Sequence, residues 1–358
     1  MRLGPVVLSC PTPRRDLGLR AALRSLVRAD MTLPRRVLQG AAIMVSRRCT
    51  QRQFLLRPDA VVEQVLTFCL GLAARRHGVE VFCLVALSNH VHIGLRDPKG
   101  RLPDFMAHFD SLVARALNCY HGRGENFWAP GSYSAVNLED EDAVVDKIVY
   151  MITNPIAANL VDLPDQWPGL LTLTGDLGRR ELVARRPTFF FRQPRTDDDA
   201  PDADDTAAGR ARRRYPPRDC TPDEVRLRLT RPPGFHDLDD DALRTLIARR
   251  VVDRVDELHQ QRRREGRGPA LGREAVLLQR PTDTPGSSAP TFGLNPRVAC
   301  RDRWKRAERL QDLVQFWREH HEASVRFRAG ERDVVFPAGT WLYRVVYGAR
   351  CRPAAPAV

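Results

Sequence analysis

From residue 41 onward, apolar and polar positions alternate in blocks that predict discrete elements. "AAIMVSRRCTQRQFLL" (41–56) predicts a strand, a polar turn and a second short strand. "PDAVVEQVLTFCLGLAARRHG" (58–78) repeats its apolar residues at helical spacing, with Pro58 at its start and Gly78 at its exit, where a helix tolerates each. "VEVFCLVAL" (79–87) is apolar on both faces and predicts a central, fully buried strand. "HVHIGLR" (90–96) predicts the next strand, joined to it by the tight pair "SN". "LPDFMAHFDSLVARALNCYHG" (102–122) predicts a second helix, and "FWAPGSYSAVNL" (127–138) a loop leading into a strand. "EDEDAVVDKIVYMITNP" (139–155) predicts a third helix, with acidic residues in the first turn where the helix dipole favours them. The order β-α-β-β-α-β-α predicts an α+β domain, a ferredoxin-like antiparallel sheet backed by helices.

After Trp167 the pattern loosens. "PRTDDDAPDADDTAAGRARRRYPPRD" (194–219) is an acidic block followed by a basic one and predicts a solvated linker. Two long helical stretches follow, "DDDALRTLIARRVVDRVDELHQQRRR" (239–264) and "RDRWKRAERLQDLVQFWREHHEASVRFRAG" (301–330), with Pro- and Gly-rich chain between them and a strand-like "GTWLYRVVYG" (339–348) near the end. The predicted organisation is a basic N-terminal extension at 1–40, a catalytic domain at 41–165, a partly disordered linker at 166–220 and a mainly helical extension at 221–358.

Charge narrows the class of partner. The 358 residues carry a formal net charge of +13, which points toward a polyanion and to nucleic acid before membrane. Of the 57 cationic side chains only Lys99, Lys147 and Lys305 are lysines, and such arginine-rich usage also follows from GC-rich codons. The eight cysteines form no CxxC and no regular spacing, which speaks against a zinc module or a disulfide framework. The apolar stretch at the start is too short for a signal peptide, and no run reaches the length of a membrane span. The expectation is a cytosolic protein with no membrane association.

Two features carry chemistry. Side chains alternate across a strand, so His90 and His92 face one side while Val91 and Ile93 anchor the other, and two imidazoles so spaced can converge on one cation. An HxH alone is more often structural than a metal site, and "HVHIGLRDPKG" adds only Asp97, on the opposite face of a straight strand. The second feature is the helix at 140–154. Val144, Val145, Ile148, Val149 and Ile152 make its apolar stripe, and Asp146, Lys147, Tyr150, Thr153 and Asn154 lie on the other side. Asn154 follows Tyr150 by one turn, so a phenol and an amide oxygen can be offered to one spot, although Pro155 biases Asn154 away from helical geometry. Trp128 and Tyr133 can stack on unpaired bases or pack in the core, and Lys147 is a candidate DNA contact beside Tyr150.

"NHVHI" on a strand, followed 58 residues after His92 by "YMITNPIAANLV" at a helix end, resembles the HUH (His-hydrophobic-His) single-tyrosine transposases, in their REP-associated tyrosine transposase branch. That branch shows a Pro-Asn-His-Val-His-Leu segment, a Phe/Leu-Trp loop, and Tyr-Ile-His-x-Asn-Pro-Val-x-x-Gly-Leu-Val. Matching here are Asn89, His90, Val91 and His92; Phe127 and Trp128; and Tyr150, Asn154, Pro155, Leu160 and Val161. Ser88 stands for proline, Met151 and Ile152 for isoleucine and histidine, and Asn159 for glycine. The resemblance covers residues 41 to about 165 and implies an HUH endonuclease core. It implies that His90 and His92 bind a divalent metal, Mg²⁺ or Mn²⁺, with Asn154 able to complete the site. It implies that Tyr150 attacks a phosphodiester of single-stranded or hairpin DNA, leaving a 5′-phosphotyrosine and a free 3′-OH, in a monomer or homodimer. No tyrosine precedes the histidine pair, which excludes the order found in relaxases.

Two other readings stand beside this one. A domesticated descendant would bind structured DNA without cutting it. A metal-dependent phosphoesterase would need further carboxylates on the same sheet face and would be indifferent to loss of Tyr150.

Overall fold

The structure, a computed structural model, describes residues 33–190, 221–286 and 296–353. The residues at 1–32 and the acidic and basic block expected as linker lie outside the described residues. By packing, the described chain falls into two units: residues 38–307, and residues 33–37 together with 308–353.

The larger unit is α+β, built on a mixed five-stranded sheet. Its elements in chain order are β1 (Ala41–Arg48), α1 (Ala60–His77), β2 (Glu80–Leu87), β3 (His90–Asp97), α2 (Leu102–Tyr120), β4 (Ser134–Leu138) and α3 (Glu141–Ala157). There follow β5 (Glu181–Arg185), β6 (Glu224–Arg228), α4 (Asp240–Arg264), α5 (Arg273–Leu278) and β7 (Val298–Ala299). The sheet order is β2-β3-β1-β4-β7, antiparallel except for β4 with β7. Strands β1 and β2, joined through α1, thus have β3 between them, and β3 and β4, joined through α2, have β1 between them. This places β3, the histidine strand, inside the sheet with hydrogen-bonded neighbours on both sides.

The helices start and stop where local chemistry dictates. Asp59 caps α1 by accepting the Val62 N–H at 2.8 Å, and Gly78 ends it at φ +68, a conformation glycine enters without steric cost. Asp97 caps α2 by accepting the backbone N–H groups of Arg101 and Leu102 at 2.8 and 2.7 Å. Asp140 does the same for α3 through Ala143 N at 2.7 Å. Helices α1 and α2 cover one sheet face, forming a core with Val45, Val91 and Ile93. On the other face lies α3, and α4 packs on α3 in turn, so that Ile148 and Ile152 share a core with Ile247, Val251 and Val255.

That second layer changes the expected boundaries. Residues 166–190, expected as linker, contain β5, which pairs antiparallel with β6, and both strands pack on α1. Gly71 permits this approach, since a Cβ there would stand 2.2 Å from Val225 Cγ1. Residues 221–286, expected as an extension, fold onto the same core: the Phe54 N–H donates to Asp283 O at 2.9 Å, and the Ser88 hydroxyl donates to Gln279 Oε1 at 3.1 Å.

Two further expectations are corrected. The second short strand within 41–56 is instead a 3-10 turn at Thr50–Arg52 followed by irregular chain. "GTWLYRVVYG" holds a helix, Leu342–Tyr347, closed by Gly348 at φ +64; its run of β-branched and aromatic residues mimics a strand, but Tyr343 and Tyr347, one turn apart, bring their rings together on one helical face with centroids 5.6 Å apart. That segment belongs to the smaller unit with most of the long helix at Arg303–Arg328, and there Phe336 stacks on Tyr343 at 4.4 Å between centroids. Among the described residues no helix is long and apolar enough to cross a membrane.

Candidate functional site

β3 supplies the histidines. Its antiparallel register with β1 sets His90 opposite Arg48 and His92 opposite Ser46, so all four side chains share a sheet face. Val91 and Ile93 point into the α1–α2 core, which fixes the strand against rotation. The two imidazoles lie edge to face with centroids 4.8 Å apart.

One nitrogen of each ring is held by a polar neighbour. Asn89 Oδ1 lies 2.6 Å from His90 Nδ1, while Asn89 Nδ2 donates to the Arg52 carbonyl at 3.3 Å. Because the amide nitrogen is used on Arg52, the oxygen faces the ring, which favours a proton on Nδ1. Ser46 Oγ lies 2.6 Å from His92 Nδ1 and orients that ring in the same manner. Burial pushes the His90 imidazole down to about 4, helped by the Arg48 charge and opposed by a hydrogen bond between the ring and the Asn154 side chain, which favours the charged form. Burial also holds His92 well below the usual histidine range, with the charges of His90, Lys147 and Arg48 adding to it. Both rings are therefore neutral at physiological pH, the state in which imidazole is a ligand.

The third helix brings the tyrosine. Tyr150 sits edge to face on His92 with centroids 5.3 Å apart, and its hydroxyl is 3.5 Å from His92 Nε2. At that length the hydrogen bond is weak and the hydroxyl remains available. Tyr150 is 43% exposed although it stands on a helix covered on two sides. The Lys147 ammonium, one turn earlier, lies 5.6 Å from the centre of its ring. Asn154, one turn later, is buried against His90.

Two features of this helix differ from the sequence expectation, and a third residue lies just beyond it. Pro155 does not displace Asn154: the helix runs on to Ala157, the Ala158 N–H donates to Asn154 O at 3.0 Å, and a proline this near the end costs one ladder bond. Thr153 is buried, its hydroxyl donating to Val149 O at 2.8 Å. Asn159, where the family pattern carries glycine, has φ +59, the left-handed conformation that asparagine tolerates better than most residues.

The structure thus brings together His90, His92, Tyr150 and Asn154, with Lys147 on the rim. It does not bring Trp128 or Tyr133 to the surface. Trp128 donates its Nε1–H to Asp110 O at 2.9 Å and packs against Phe127, and Tyr133 is 7% exposed within the same core. Both are packing residues, and the expectation that they contact DNA is withdrawn. Asp97, read as facing away from the histidines, is the cap of α2. Ser46 and Arg48 carry no signal in the sequence, because only the β1–β3 register sets them beside the histidines. Asn89 was visible as part of the motif, and its role as the acceptor for His90 is new.

Among the described residues no cluster of three or more His, Cys, Asp or Glu is gathered for a metal. A set of His90, His92 and the Asn154 amide is of a different composition. It fits a divalent ion in that both imidazoles are neutral, both are oriented through Nδ1, and an amide reaches the same spot.

No protein-family model matches the chain, and no curated protein matches it. Among solved structures, it is similar to a REP-associated tyrosine transposase bound to a REP hairpin, at 19% identity over 39% of this chain and 81% of that one, with a TM-score of 0.33. It is also similar to a Deinococcus radiodurans protein described as a transposase, at 21% identity over 33% of this chain and 93% of that one, with a TM-score of 0.25. At these scores neither likeness carries an argument about fold or function.

Proposed function

We propose that the chain is a transposase of the HUH type, a metal-dependent strand transferase that cuts and rejoins single-stranded or hairpin DNA through Tyr150 on a ferredoxin-like core. The sheet order β4-β1-β3-β2 with crossovers α1 and α2 supports the core assignment. The observation that carries the reading is the Tyr150 hydroxyl 3.5 Å from His92 Nε2: an exposed phenol held against the buried, neutral member of a histidine pair from a strand 58 residues away.

The residue types suit the chemistry. A phenol with a pKa near 10 is a poor nucleophile at neutral pH and needs a polarised target or an adjacent positive charge. His90 and His92, with Asn154, would hold Mg²⁺ or Mn²⁺; the imidazoles favour Mn²⁺. When bound, the ion would draw charge from a non-bridging phosphate oxygen. Lys147 places a further cation beside the phenol, where it can meet the charge of a phosphate. The Tyr150 oxygen bonds to phosphorus as the P–O3′ bond breaks, the phenol losing its proton and the departing 3′-oxygen gaining one. The resulting 5′-phosphotyrosine conserves the ester, so a 3′-OH can reverse the step without ATP.

Labelled single-stranded hairpin DNA incubated with the protein and Mn²⁺ tests this. The reading expects a strand ending in 3′-OH and a denaturation-resistant adduct, both abolished by EDTA. Tight hairpin binding with no cut across a varied pool would replace it with the non-catalytic binder.

A further inference from the structure

Most arginines near the candidate site are committed to acids. Arg301 meets Asp142 at 3.2 Å and Asp146 at 3.6 Å, and Arg250 lies 3.7 Å from the same two carboxylates. Three cations are different. Arg48 ends β1 directly opposite His90, is exposed, and has no acid partner among the described residues. Lys147 reaches only the Tyr150 ring, with no carboxylate among the described residues. Arg306, exposed in the first turn of Arg303–Arg328, likewise has none.

The last two share a feature. Alongside α3, toward its N-terminus from Tyr150, runs a groove of about 280 Å³ lined by Asp146 and Lys147, by Cys300 and Arg301 just after β7, and by Arg306. Its one carboxylate, Asp146, is already engaged by Arg250 and Arg301, so the lining keeps a positive balance. Cys300 joins the lining with its thiol donating to Asp140 Oδ2 at 2.8 Å, and Val298 and Ala143 add apolar surface. Lys147 is at once a wall of this groove and the neighbour of the candidate nucleophile. Arg48 is on the other flank of the histidine pair. An exposed cation with no acid partner keeps its full charge for a ligand, and a guanidinium fork matches a phosphate in geometry.

We propose that a single DNA strand crosses the site along these cations, with three successive phosphates: one against Arg48 beside the histidine pair, the next against Lys147 beside Tyr150, and the third against Arg306 in the α3–β7 groove. The path rests on the proposed function only in taking the middle phosphate as the one Tyr150 attacks. The groove lining combines cations that suit a phosphate with the apolar Ala143, Val298 and Ala299, which suit sugar or base, and Lys147 stands a single turn of α3 from Tyr150.

Salt dependence of binding tests the path independently of cleavage. Each phosphate neutralised on a single strand contributes about 0.7 to the slope of log affinity against log salt. The full chain and its Arg48→Ala, Lys147→Ala and Arg306→Ala variants would be titrated with a fluorescent single-stranded oligonucleotide. Arg96→Ala is the control, since Arg96 lies at the far end of β3 and pairs with Glu80 at 3.3 Å. Each of the three variants is expected to flatten the slope by about 0.7 and Arg96→Ala to leave it unchanged. Arg48→Lys and Arg306→Lys are expected to restore it, which a folding defect would not. Slopes in the Arg48 and Arg306 variants equal to the control, or no binding by the full chain, overturn the path. Covalent adduct formation is scored in parallel: flattened slopes without adduct keep the path and remove the cleavage reading, and adduct with unchanged slopes does the reverse.

Discussion

Ser46 Oγ and His92 Nδ1 lie 2.6 Å apart, joined across the β1–β3 register rather than along the chain. The serine fixes the ring so that Nε2 faces Tyr150. Partners of this kind orient a ligand and typically contribute about 10–100-fold to metal affinity. Ser46→Ala is therefore expected to weaken Mn²⁺ binding by about 10-fold with little change in thermal stability. Calorimetric titration of Mn²⁺ into both proteins measures it, and equal affinity would remove Ser46 from the site.

Gly94 sets how closely the tyrosine helix approaches the sheet. A Cβ there would stand 2.5 Å from Phe82 Cε2 and 3.0 Å from Met151 Cε, the residue next to Tyr150. Overpacking of this kind costs about 1–3 kcal/mol. Gly94→Ala is expected to lower stability by that amount in urea and to displace α3. An unchanged urea midpoint would mean that the helix does not bear on this strand.

The layer formed by α4 makes a prediction about the C-terminal half. Ile247 is fully buried against α3, and a large-to-small change at such a site costs about 2–5 kcal/mol. Ile247→Ala should destabilise by that range, and a chain truncated at residue 190 should expose the covered face of α3 and lose cooperative unfolding. A truncated chain that melts as sharply as the full one would show that the second layer is dispensable.

Acid sensitivity follows from a histidine pair outside the site. His77 of α1 and His108 of α2 are buried with ring centroids 5.4 Å apart, and burial pushes them down to about 4 and about 3. Asp104 opposes the shift at His77, whereas Arg101, Arg76 and Arg115 reinforce it at one ring or the other. The unfolded chain titrates these groups near 6.5, so below that pH it binds more protons than the fold does. Stability is then full above about pH 6.5 and falls toward pH 4. Other buried histidines add to the fall, so the test is a difference: His108→Gln should show a smaller Tm drop between pH 7.5 and 5 than the parent chain. An identical drop would place the proton uptake elsewhere.

Much of the core was legible because its signals are local. Pro58 and Gly78 bracket α1, the acidic first turn marks the start of α3, and "VEVFCLVAL" is apolar enough to be central wherever the sheet closes. The histidine pair and Tyr150 were legible from strand alternation and from a shared motif. Ser46 and Arg48 were not, because their nearness to the histidines exists only in the β1–β3 register. The covering role of 221–286 was hidden because α4 is so rich in arginine that its narrow stripe, Ile247, Val251, Val255 and Leu258, reads as a solvated helix. Trp128 and Tyr133 looked available because a loop sequence does not reveal that it folds into the core.

The central claim is that Tyr150 becomes covalently bound to DNA, and peptide mapping of the adduct tests it most directly. Cleavage after Lys147 and Arg179 releases residues 148–179, a peptide whose one tyrosine is Tyr150. The protein would be incubated with single-stranded hairpin DNA and Mn²⁺, digested with nuclease and trypsin, and analysed by mass spectrometry. The account predicts a nucleotide-phosphate mass on that peptide, absent with EDTA and absent in Tyr150→Phe. The modification on any other peptide, or an adduct that persists in Tyr150→Phe, would contradict it.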